Sequence, residues 1–341
     1  MLHFVQSYVS TQRMGCDDTV YAKLVERFKN LNWIGLIGPK VRLLSKKEML
    51  TLGYRAVMQS KKTDLIFCWN GETALYTWFI SKLLFRPRNI LGQNLIINPE
   101  RFKSKATRLR GELYKMALNG HNFHVTVNSP QMVDFYDKIF QCGRDRFNVV
   151  YDSMTLIPEE KKYQTLDDKK EFYIFGGGKE ERDIECFLRI AKKMPHVKFK
   201  GVYLKEQMPA HVEQLPNLEI YNNIPKEQFY DILGNASICL MPLKAETPCG
   251  LSVVQKAMLM GVNIVGTNTP SMRSLVPDDT YGFLCNRGDD EHLMAGIQRI
   301  IDDEPLRKSM RKKAMDFCIK MFSPEEIAMQ ICKTIEKYYK G

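Results

Sequence analysis

The sequence contains no Cys-x-x-Cys pair, no apolar run long enough to cross a membrane and no low-complexity segment. Its nine cysteines occur singly, which argues against a zinc ribbon or a dithiol redox motif and is typical of a reducing compartment. The longest apolar run, residues 74–85, includes Lys82 and is shorter than the ~20 residues that a membrane-spanning helix needs. No basic leader followed by an apolar core opens the sequence. We therefore expect a cytoplasmic protein.

Positive charge in excess is confined to the first half of the chain. Residues 1–158 contain 23 Lys and Arg against 12 Asp and Glu, whereas the remainder is neutral. Such a surface attracts phosphates or anionic lipid headgroups, so we expect an anionic partner such as the inner face of a membrane, to which the protein would bind peripherally. The basic stretch lacks interleaved aromatic residues and any nucleic-acid-binding motif, so no nucleic-acid partner is expected. The alternative is a solvated helix face.

The second half alternates short apolar runs with amphipathic segments. Runs such as 172–176, 197–202 and 237–241 are separated by helical patterns such as 184–193. This alternation predicts strand–helix units that form a parallel, doubly wound α/β sheet, which binds ligands beyond the carboxyl ends of its strands. The first half repeats the theme less regularly.

A polar stretch, residues 152–170, separates the halves and is interpreted as a linker. We predict one Rossmann-like domain over residues 1–155 and a second over residues 170–320. The helical pattern at residues 321–341 is predicted to pack across the domain junction.

A glycine-rich stretch follows the first strand of the second half. Gly176, Gly177 and Gly178 let the backbone approach a ligand closely, and the next helix offers its N-terminal N–H groups to an anion. Lys179 and Arg182 add positive charge at the same point. The pattern is neither GxGxxG nor a P-loop. It predicts a phosphate site, and a plain tight turn is the alternative.

A second loop of this kind follows the predicted strand at residues 237–241. It contains Glu246, Thr247 and Gly250, and the helix after it begins with Leu251 and Ser252. The helix start can receive a phosphate group, and the Glu246 carboxylate can accept hydrogen bonds from sugar hydroxyls. The alternatives are that Glu246 is an ordinary surface carboxylate and that Gly250 only makes a turn. Two such loops on one sheet can converge on a single diphosphate.

Residues 171–300 resemble the donor domain of a GT-B glycosyltransferase of glycosyltransferase family 4. The glycine-rich loop of that family is similar to residues 175–183. Its later Glu, its Gly-Leu step, an Ala-Met pair in the helix and a Gly before the next strand also have counterparts. Those counterparts are Glu246, Gly250, Leu251, Ala257, Met258 and Gly261.

The resemblance implies a GT-B fold of two Rossmann-like domains with a cleft between them, the first binding the acceptor and the second the nucleotide-sugar donor. It implies a hexosyltransferase that retains the anomeric configuration and uses no metal or other cofactor. A UDP-sugar is expected rather than a GDP-sugar. Lys179 and Arg182 would stabilise the leaving diphosphate, and Glu246 would orient the sugar. The basic first half favours a glycan or lipid-linked acceptor, as in polysaccharide or glycoconjugate assembly.

The chain departs from the family at the carboxylate that holds the donor ribose. Counting forward from Gly250 places Gln255 there, whereas counting back from Gly261 places Lys256. Gln255 can bond a ribose hydroxyl through its amide, and Lys256 can instead pair with phosphate. This departure keeps open a non-catalytic nucleotide-sugar-binding protein. A nucleotide-sugar epimerase of the same fold is the other alternative, although no cluster of carboxylates and histidines favours it.

Polar residues that follow strands of the first half are predicted to lie on the acceptor side. Gly15 resembles the shortened glycine loop of the family, and Asn70 and Gln93 follow later strands. His121 and His124 have a spacing found in metal sites, but two residues do not make a site, so no metal site is predicted.

Overall fold

Two compact units, each built on a mainly parallel β-sheet, make up the computed structural model. Unit 1 combines residues 1–153 with residues 324–341, and unit 2 comprises residues 154–323. All but the first two residues of the predicted linker are therefore part of unit 2, and the last helix is part of unit 1. The residues that the structure describes are 1–10, 18–98, 105–246 and 248–339.

The sheet of unit 1 is parallel except for one short strand. The strands described there are β1 (Leu2–Ser10), β2 (Leu31–Ile37), β3 (Arg42–Leu43), β4 (Leu65–Cys68), β5 (Asn89–Gly92), β6 (Phe123–Val127) and β7 (Phe147–Val149). Their order is β2-β1-β4-β5-β6-β7, and β3 pairs antiparallel with β1.

The sheet of unit 2 is parallel throughout its described strands. These are β8 (Tyr173–Gly177), β9 (Lys198–Tyr203), β10 (Leu218–Asn222), β11 (Ile238–Met241), β12 (Asn263–Thr267) and β13 (Phe283–Cys285). Their order is β10-β9-β8-β11-β12-β13.

Helices connect most of the strands. In chain order they are α1 (Asp18–Arg27), α2 (Lys46–Gln59), α3 (Gly71–Leu83), α4 (Lys105–Leu118), α5 (Pro130–Phe140), α6 (Ile184–Lys193), α7 (Lys226–Gly234), α8 (Leu251–Leu259), α9 (Met272–Leu275), α10 (Asp290–Asp302), α11 (Glu304–Phe322) and α12 (Pro324–Tyr338). Short 3-10 helices occur at Arg144–Arg146, Pro158–Tyr163 and Lys205–Gln207. None of the helices in the described residues combines the length and the apolar character needed to cross a bilayer.

The central strands are buried on both faces, as parallel sheets covered by helices require. Every residue of β4, β11 and β12 is buried. Amphipathic helices cover these strands; in α6, for example, Phe187 and Ile190 are buried while Arg189 is exposed. This burial explains why short continuous apolar runs, rather than alternating ones, mark the strands in the sequence.

The strand order of unit 2 reverses direction beside β8. The chain first adds β9 and β10 on one side of β8 and then places β11 on the other side. At such a reversal the loops after the two neighbouring strands leave in opposite directions and open a crevice at the carboxyl edge. The loops after β8 and β11 are the two loops singled out in the sequence.

Candidate anion-binding site

The loops after β8 and β11 meet at the same edge of the sheet of unit 2. Their strands are parallel neighbours, with Ile238 paired with Ile174. The loops themselves are joined by backbone hydrogen bonds: the Asp183 N–H donates to the Pro242 carbonyl at 2.9 Å, and the Lys244 N–H donates to the Glu181 carbonyl at 2.9 Å. The predicted convergence of the two loops is therefore present in the structure.

Arg182 lies at the centre of this junction. Its side chain is buried, with a relative exposure of 9%. Its Nε donates to the Gly177 carbonyl at 2.8 Å, and its Nη1 donates to the Glu180 carbonyl at 2.6 Å. Among the residues described, Arg182 forms no ion pair with a carboxylate. Burial lowers the pKa of the guanidinium from its ordinary value. A buried cation fixed by neutral carbonyls is prepared to receive an anion.

The start of α8 provides the second half of the junction. Gly250 precedes the helix in a left-handed conformation with φ of 78°, and no side chain caps the helix N-terminus. A Cβ added to Gly250 would lie 3.3 Å from Nη1 of Arg182, so the guanidinium and the helix start are adjacent. Uncapped N–H groups and the positive end of the helix dipole both favour an anion here.

At the start of α6, one of the N–H groups that the sequence analysis expected to be free is already engaged. The Asp183 carboxylate accepts a hydrogen bond from the Cys186 N–H at 3.0 Å and so caps the helix. An acidic cap occupies the position that a phosphate would take and also neutralises the dipole. The Cys186 N–H is therefore not available to a ligand, and a phosphate role for this helix start stays a prediction.

Two of the three glycines belong to the strand and not to the loop. A Cβ on Gly176 would lie 2.3 Å from the Phe187 ring, and one on Gly177 would lie 2.5 Å from the Phe175 ring. Close packing is enough to explain why both residues are glycine, and their phosphate role stays a prediction. Only Gly178 leaves the strand, with φ of 124°, and a Cβ there would collide with the Arg182 guanidinium at 2.3 Å. Gly178 therefore makes room for Arg182.

A cavity of about 520 Å³ opens at the junction of the loops. Its walls come only from unit 2. They include the predicted residues Gly178, Lys179, Arg182, Gly250 and Ser252, and also Lys226, Phe229, Tyr230 and Val253. Lys179 and Lys226 are exposed, so three cations face the cavity against the single carboxylate of Glu180. Lys226, Phe229 and Tyr230 come from α7, which the sequence analysis treated only as an amphipathic helix.

Lys256 is engaged with a carboxylate that the sequence analysis assigned to the linker. Its Nζ donates to Oε1 of Glu160 at 2.6 Å and also contacts Oε2. Both side chains are buried, and Nζ lies 4.1 Å from the centre of the Tyr230 ring. The ammonium is therefore already neutralised, contrary to the expectation that it pairs with a phosphate. Gln255 is also buried, with an exposure of 1%, and does not line the cavity.

The carboxylate predicted to orient the sugar lies in the loop before α8. Glu246 is exposed and is not among the residues that line the cavity. Thr247, the next predicted residue, lies outside the described part of the chain. The role of Glu246 therefore stays a prediction.

The acceptor-side residues have structural partners in unit 1. The Asn70 Oδ1 accepts from the Thr73 N–H at 2.7 Å and caps α3, and the buried Gln93 Oε1 accepts from Thr126 Oγ1 at 2.9 Å. Both residues follow neighbouring strands, β4 and β5. Gly15 falls outside the described residues. These three assignments stay predictions.

A polar cluster that the sequence analysis missed also lies at the carboxyl edge of the sheet of unit 1. Asp152 accepts hydrogen bonds from Asn94 Nδ2 at 2.7 Å and from Asn128 Nδ2 at 3.3 Å. Burial raises the pKa of the Asp152 carboxyl, against the opposing effect of the Asn128 hydrogen bond. Asn94 and Asn128 lie in the loops directly after β5 and β6. Their position after a strand is therefore a sequence signal that marks two of the three residues of this cluster.

His124 is a packing residue. Its ring stacks on Tyr338 of α12 with centroids 4.1 Å apart. No group of three potential metal ligands occurs within the described ranges.

The chain is similar to known glycosyltransferases in part of its sequence and in its fold. Residues 202–317 match the sequence profile of the family described as "Glycosyl transferases group 1", a segment that includes the loop before α8 but not Arg182. The crystal structure of HepE from Anabaena in complex with UDP superposes with a TM-score of 0.67 at 15% identity, covering 98% of this chain and 99% of that one. No curated protein matches the chain.

Two further solved structures share the fold across their whole length. A glycosyltransferase from Rickettsia africae has a TM-score of 0.67 at 13% identity and covers 100% of this chain and 99% of its own. Sucrose-phosphate synthase from Thermosynechococcus elongatus has a TM-score of 0.67 at 14% identity, with 99% of each chain covered. The chain thus has the GT-B fold of two Rossmann-like domains, and its resemblance to family 4 is confirmed. The profile match supports a glycosyltransferase.

Proposed function

We propose that the protein transfers a hexose from a UDP-sugar to a glycan or lipid-linked acceptor, with retention of the anomeric configuration. The observation that carries this proposal is the buried Arg182 guanidinium, which has no carboxylate partner in the described chain and lies beside the uncapped start of α8. This pair of groups suits a pyrophosphate. The complex of HepE with UDP, which has the same fold, favours uridine as the base.

The reaction needs stabilisation of the leaving nucleoside diphosphate. Negative charge grows on the departing phosphate oxygen as the glycosidic bond breaks. Arg182 and the first N–H groups of α8 are fixed before the reaction, so they stabilise that charge without reorganising. Lys179 and Lys226 add flexible charges at the cavity wall, and the Ser252 hydroxyl adds a donor. These groups give the diphosphate a positively charged site built from protein alone.

We assign orientation of the sugar to Glu246. Its carboxylate lies four residues before Gly250, in the same loop that leads into α8. A carboxylate accepts hydrogen bonds from two sugar hydroxyls at once, which fixes the face that the acceptor attacks.

The acceptor is assigned to unit 1 and is expected to be anionic. The excess of basic residues lies in residues 1–158, and a lipid-linked pyrophosphoryl glycan of a polysaccharide or glycoconjugate pathway fits that charge. Such an acceptor would place the protein at the cytoplasmic face of a membrane.

The direct test is a panel of nucleotide sugars, with nucleotide release and thermal shift as readouts. We expect the largest stabilisation and the fastest release with a UDP-sugar, unchanged by EDTA. Glu246→Gln should lower kcat by about 100-fold while UDP affinity changes less than about threefold, because the carboxylate contacts only the sugar.

Glu185→Gln provides the matched control, since Glu185 is exposed on α6 away from the cavity. It should behave as the wild type. A panel in which no nucleotide sugar raises Tm, or a Glu246→Gln variant with full turnover, would refute the assignment.

A non-catalytic nucleotide-sugar-binding protein is the second candidate. It is favoured by the absence of a carboxylate at positions 255 and 256 and by the engagement of Lys256 with Glu160. Thermal stabilisation by a UDP-sugar without any release of UDP, even with acceptor extracts, would identify this function. Interconversion of the donor sugars would instead identify an epimerase.

A further inference from the structure

Phe85 combines high exposure with an unfavourable backbone conformation. Its side chain is 93% exposed, more than any other large apolar side chain described. Its φ is 53°, in the left-handed region that a residue with a bulky side chain rarely occupies. The residue thus gains no packing inside unit 1 while its backbone is strained. Backbone outliers of this kind are often found at functional sites.

The strain arises because Phe85 occupies the left-handed position of the turn that ends α3. The Phe85 N–H donates to the Lys82 carbonyl at 3.0 Å, and the Arg86 N–H donates to the Ser81 carbonyl at 2.8 Å. This pair of bonds defines a Schellman turn, whose left-handed position is usually glycine. The turn holds the Phe85 ring out from the surface in a fixed place.

Apolar and basic side chains alternate around this ring. Phe79 and Leu83 on α3 are 41% and 65% exposed. Lys82 and Arg86 are exposed between them and form no ion pair with any carboxylate in the described ranges. A protruding aromatic ring flanked by cations that no described carboxylate neutralises is suited to a surface that is apolar below and anionic above.

The end of α2 extends the same surface. Arg88 Nε donates to the Ser60 Oγ at 2.9 Å, which ties the segment after α3 to the end of α2. Lys61 and Lys62 follow directly and are exposed, and Met58 is 42% exposed. Because β4 and β5 are parallel neighbours, the turns that precede them lie at the same amino edge of the sheet. Four exposed cations and four exposed apolar side chains thus share one edge of unit 1.

We propose that this edge of unit 1 docks on an anionic lipid bilayer. It is called here the Phe85 edge and is formed by Met58, Lys61, Lys62, Phe79, Lys82, Leu83, Phe85 and Arg86. The aromatic and aliphatic side chains enter the interface between headgroups and acyl chains, and the four cations pair with lipid phosphates. The charge complementarity selects a membrane over a second copy of this chain, since two copies would bring eight like charges together.

The test measures sedimentation of the full-length protein with phosphatidylcholine vesicles that contain 30% or no phosphatidylglycerol. The protein should bind only the anionic vesicles and dissociate as salt screens the cations. Phe85→Gly should weaken binding about tenfold, because the buried ring area is lost. The same variant should raise Tm by about 2 °C, because glycine relieves the left-handed strain. Opposite effects on binding and on stability distinguish a docking residue from a structural one.

Two controls keep the result interpretable. Leu43→Ala removes another exposed side chain, 79% exposed, from β3, which pairs near the carboxyl end of β1. It should bind vesicles like the wild type. Lys82→Gln combined with Arg86→Gln should weaken binding about 20-fold, whereas Lys46→Gln with Lys47→Gln, at the other end of α2, should change it less than about twofold.

A Phe85→Trp variant reports insertion directly. Its fluorescence should shift to the blue with anionic vesicles and be quenched by lipids brominated on the acyl chain. The proposal is overturned if Phe85→Gly binds vesicles as the wild type does, if the tryptophan is not quenched, or if the protein self-associates through this edge and ignores vesicles.

Discussion

At the scale of single residues, the Lys256–Glu160 pair shows what a local sequence pattern leaves out. Position 256 has a lysine where the resemblance expects a carboxylate, and Glu160 supplies a carboxylate 96 residues earlier in the chain. The sequence shows the substitution but not its partner, because Glu160 lies in a polar stretch typical of a linker. The pair also positions Tyr230, which lines the cavity and lies under the ammonium.

Removing one member of this pair should destabilise unit 2. Lys256→Met leaves a buried carboxylate without its partner, which we expect to cost about 3 kcal/mol of unfolding free energy. Lys256→Met combined with Glu160→Leu should recover most of that loss, because no charge is then left buried. Urea denaturation of the two single variants and the double variant measures the coupling. Strictly additive effects would show that the two side chains do not interact.

At the scale of elements, the start of α8 should be sensitive to any side chain at Gly250. Gly250→Ala forces alanine into a left-handed conformation, which costs about 1 kcal/mol, and its Cβ would lie 3.3 Å from the Arg182 guanidinium. We expect UDP affinity to fall about tenfold, because the group displaced is the one that faces the phosphate. Titration calorimetry measures this affinity.

Gly288 offers a control with the same backbone geometry. Its φ is 80°, and a Cβ added there would meet nothing within 4 Å. Gly288→Ala should therefore lower stability as Gly250→Ala does but leave UDP affinity unchanged. If the two variants affect UDP affinity equally, Gly250 is only a turn glycine.

The contact between β6 and α12 should make unit 1 sensitive to mild acid. Burial of the His124 imidazole lowers its pKa from 6.5 to about 4, and the charges of Arg146 and Lys337 act in the same direction. The unfolded chain then binds more protons than the folded chain between pH 6.5 and 4, so stability falls as the pH drops through this window. Because the ring is partly exposed, we expect a loss of about 1–2 kcal/mol.

His124→Phe keeps a ring on Tyr338 but cannot titrate. Its Tm should therefore decline less than that of the wild type between pH 6.5 and 4, as scanning calorimetry can measure. His121→Gln, at an exposed position, should follow the wild-type curve. Parallel curves for His124→Phe and the wild type would contradict the assignment.

At the scale of the whole molecule, the sequence predicts the architecture better than the site. Continuous apolar runs at βα spacing are enough to indicate two doubly wound sheets, because burial on both faces imposes that pattern. The sequence also predicts that the loops after β8 and β11 converge, and the structure shows them joined by hydrogen bonds. The sequence does not predict whether Gly176 belongs to the loop or to the strand, or whether Asp183 caps α6. Both depend on the residue at which the strand ends, which local propensity predicts poorly. Lys226, Glu160 and Asp152 are brought to their sites only by tertiary packing.

The central claim is that Arg182 and the start of α8 bind a pyrophosphate. Calorimetric titration of UDP and of uridine against the wild type and Arg182→Gln tests it most directly, with Tm confirming that the variant is folded. The account predicts that UDP binds at least about 100-fold more tightly than uridine and that Arg182→Gln weakens UDP about 30-fold without changing uridine. Equal affinities for UDP and uridine, or an unchanged UDP affinity in the folded variant, would contradict it.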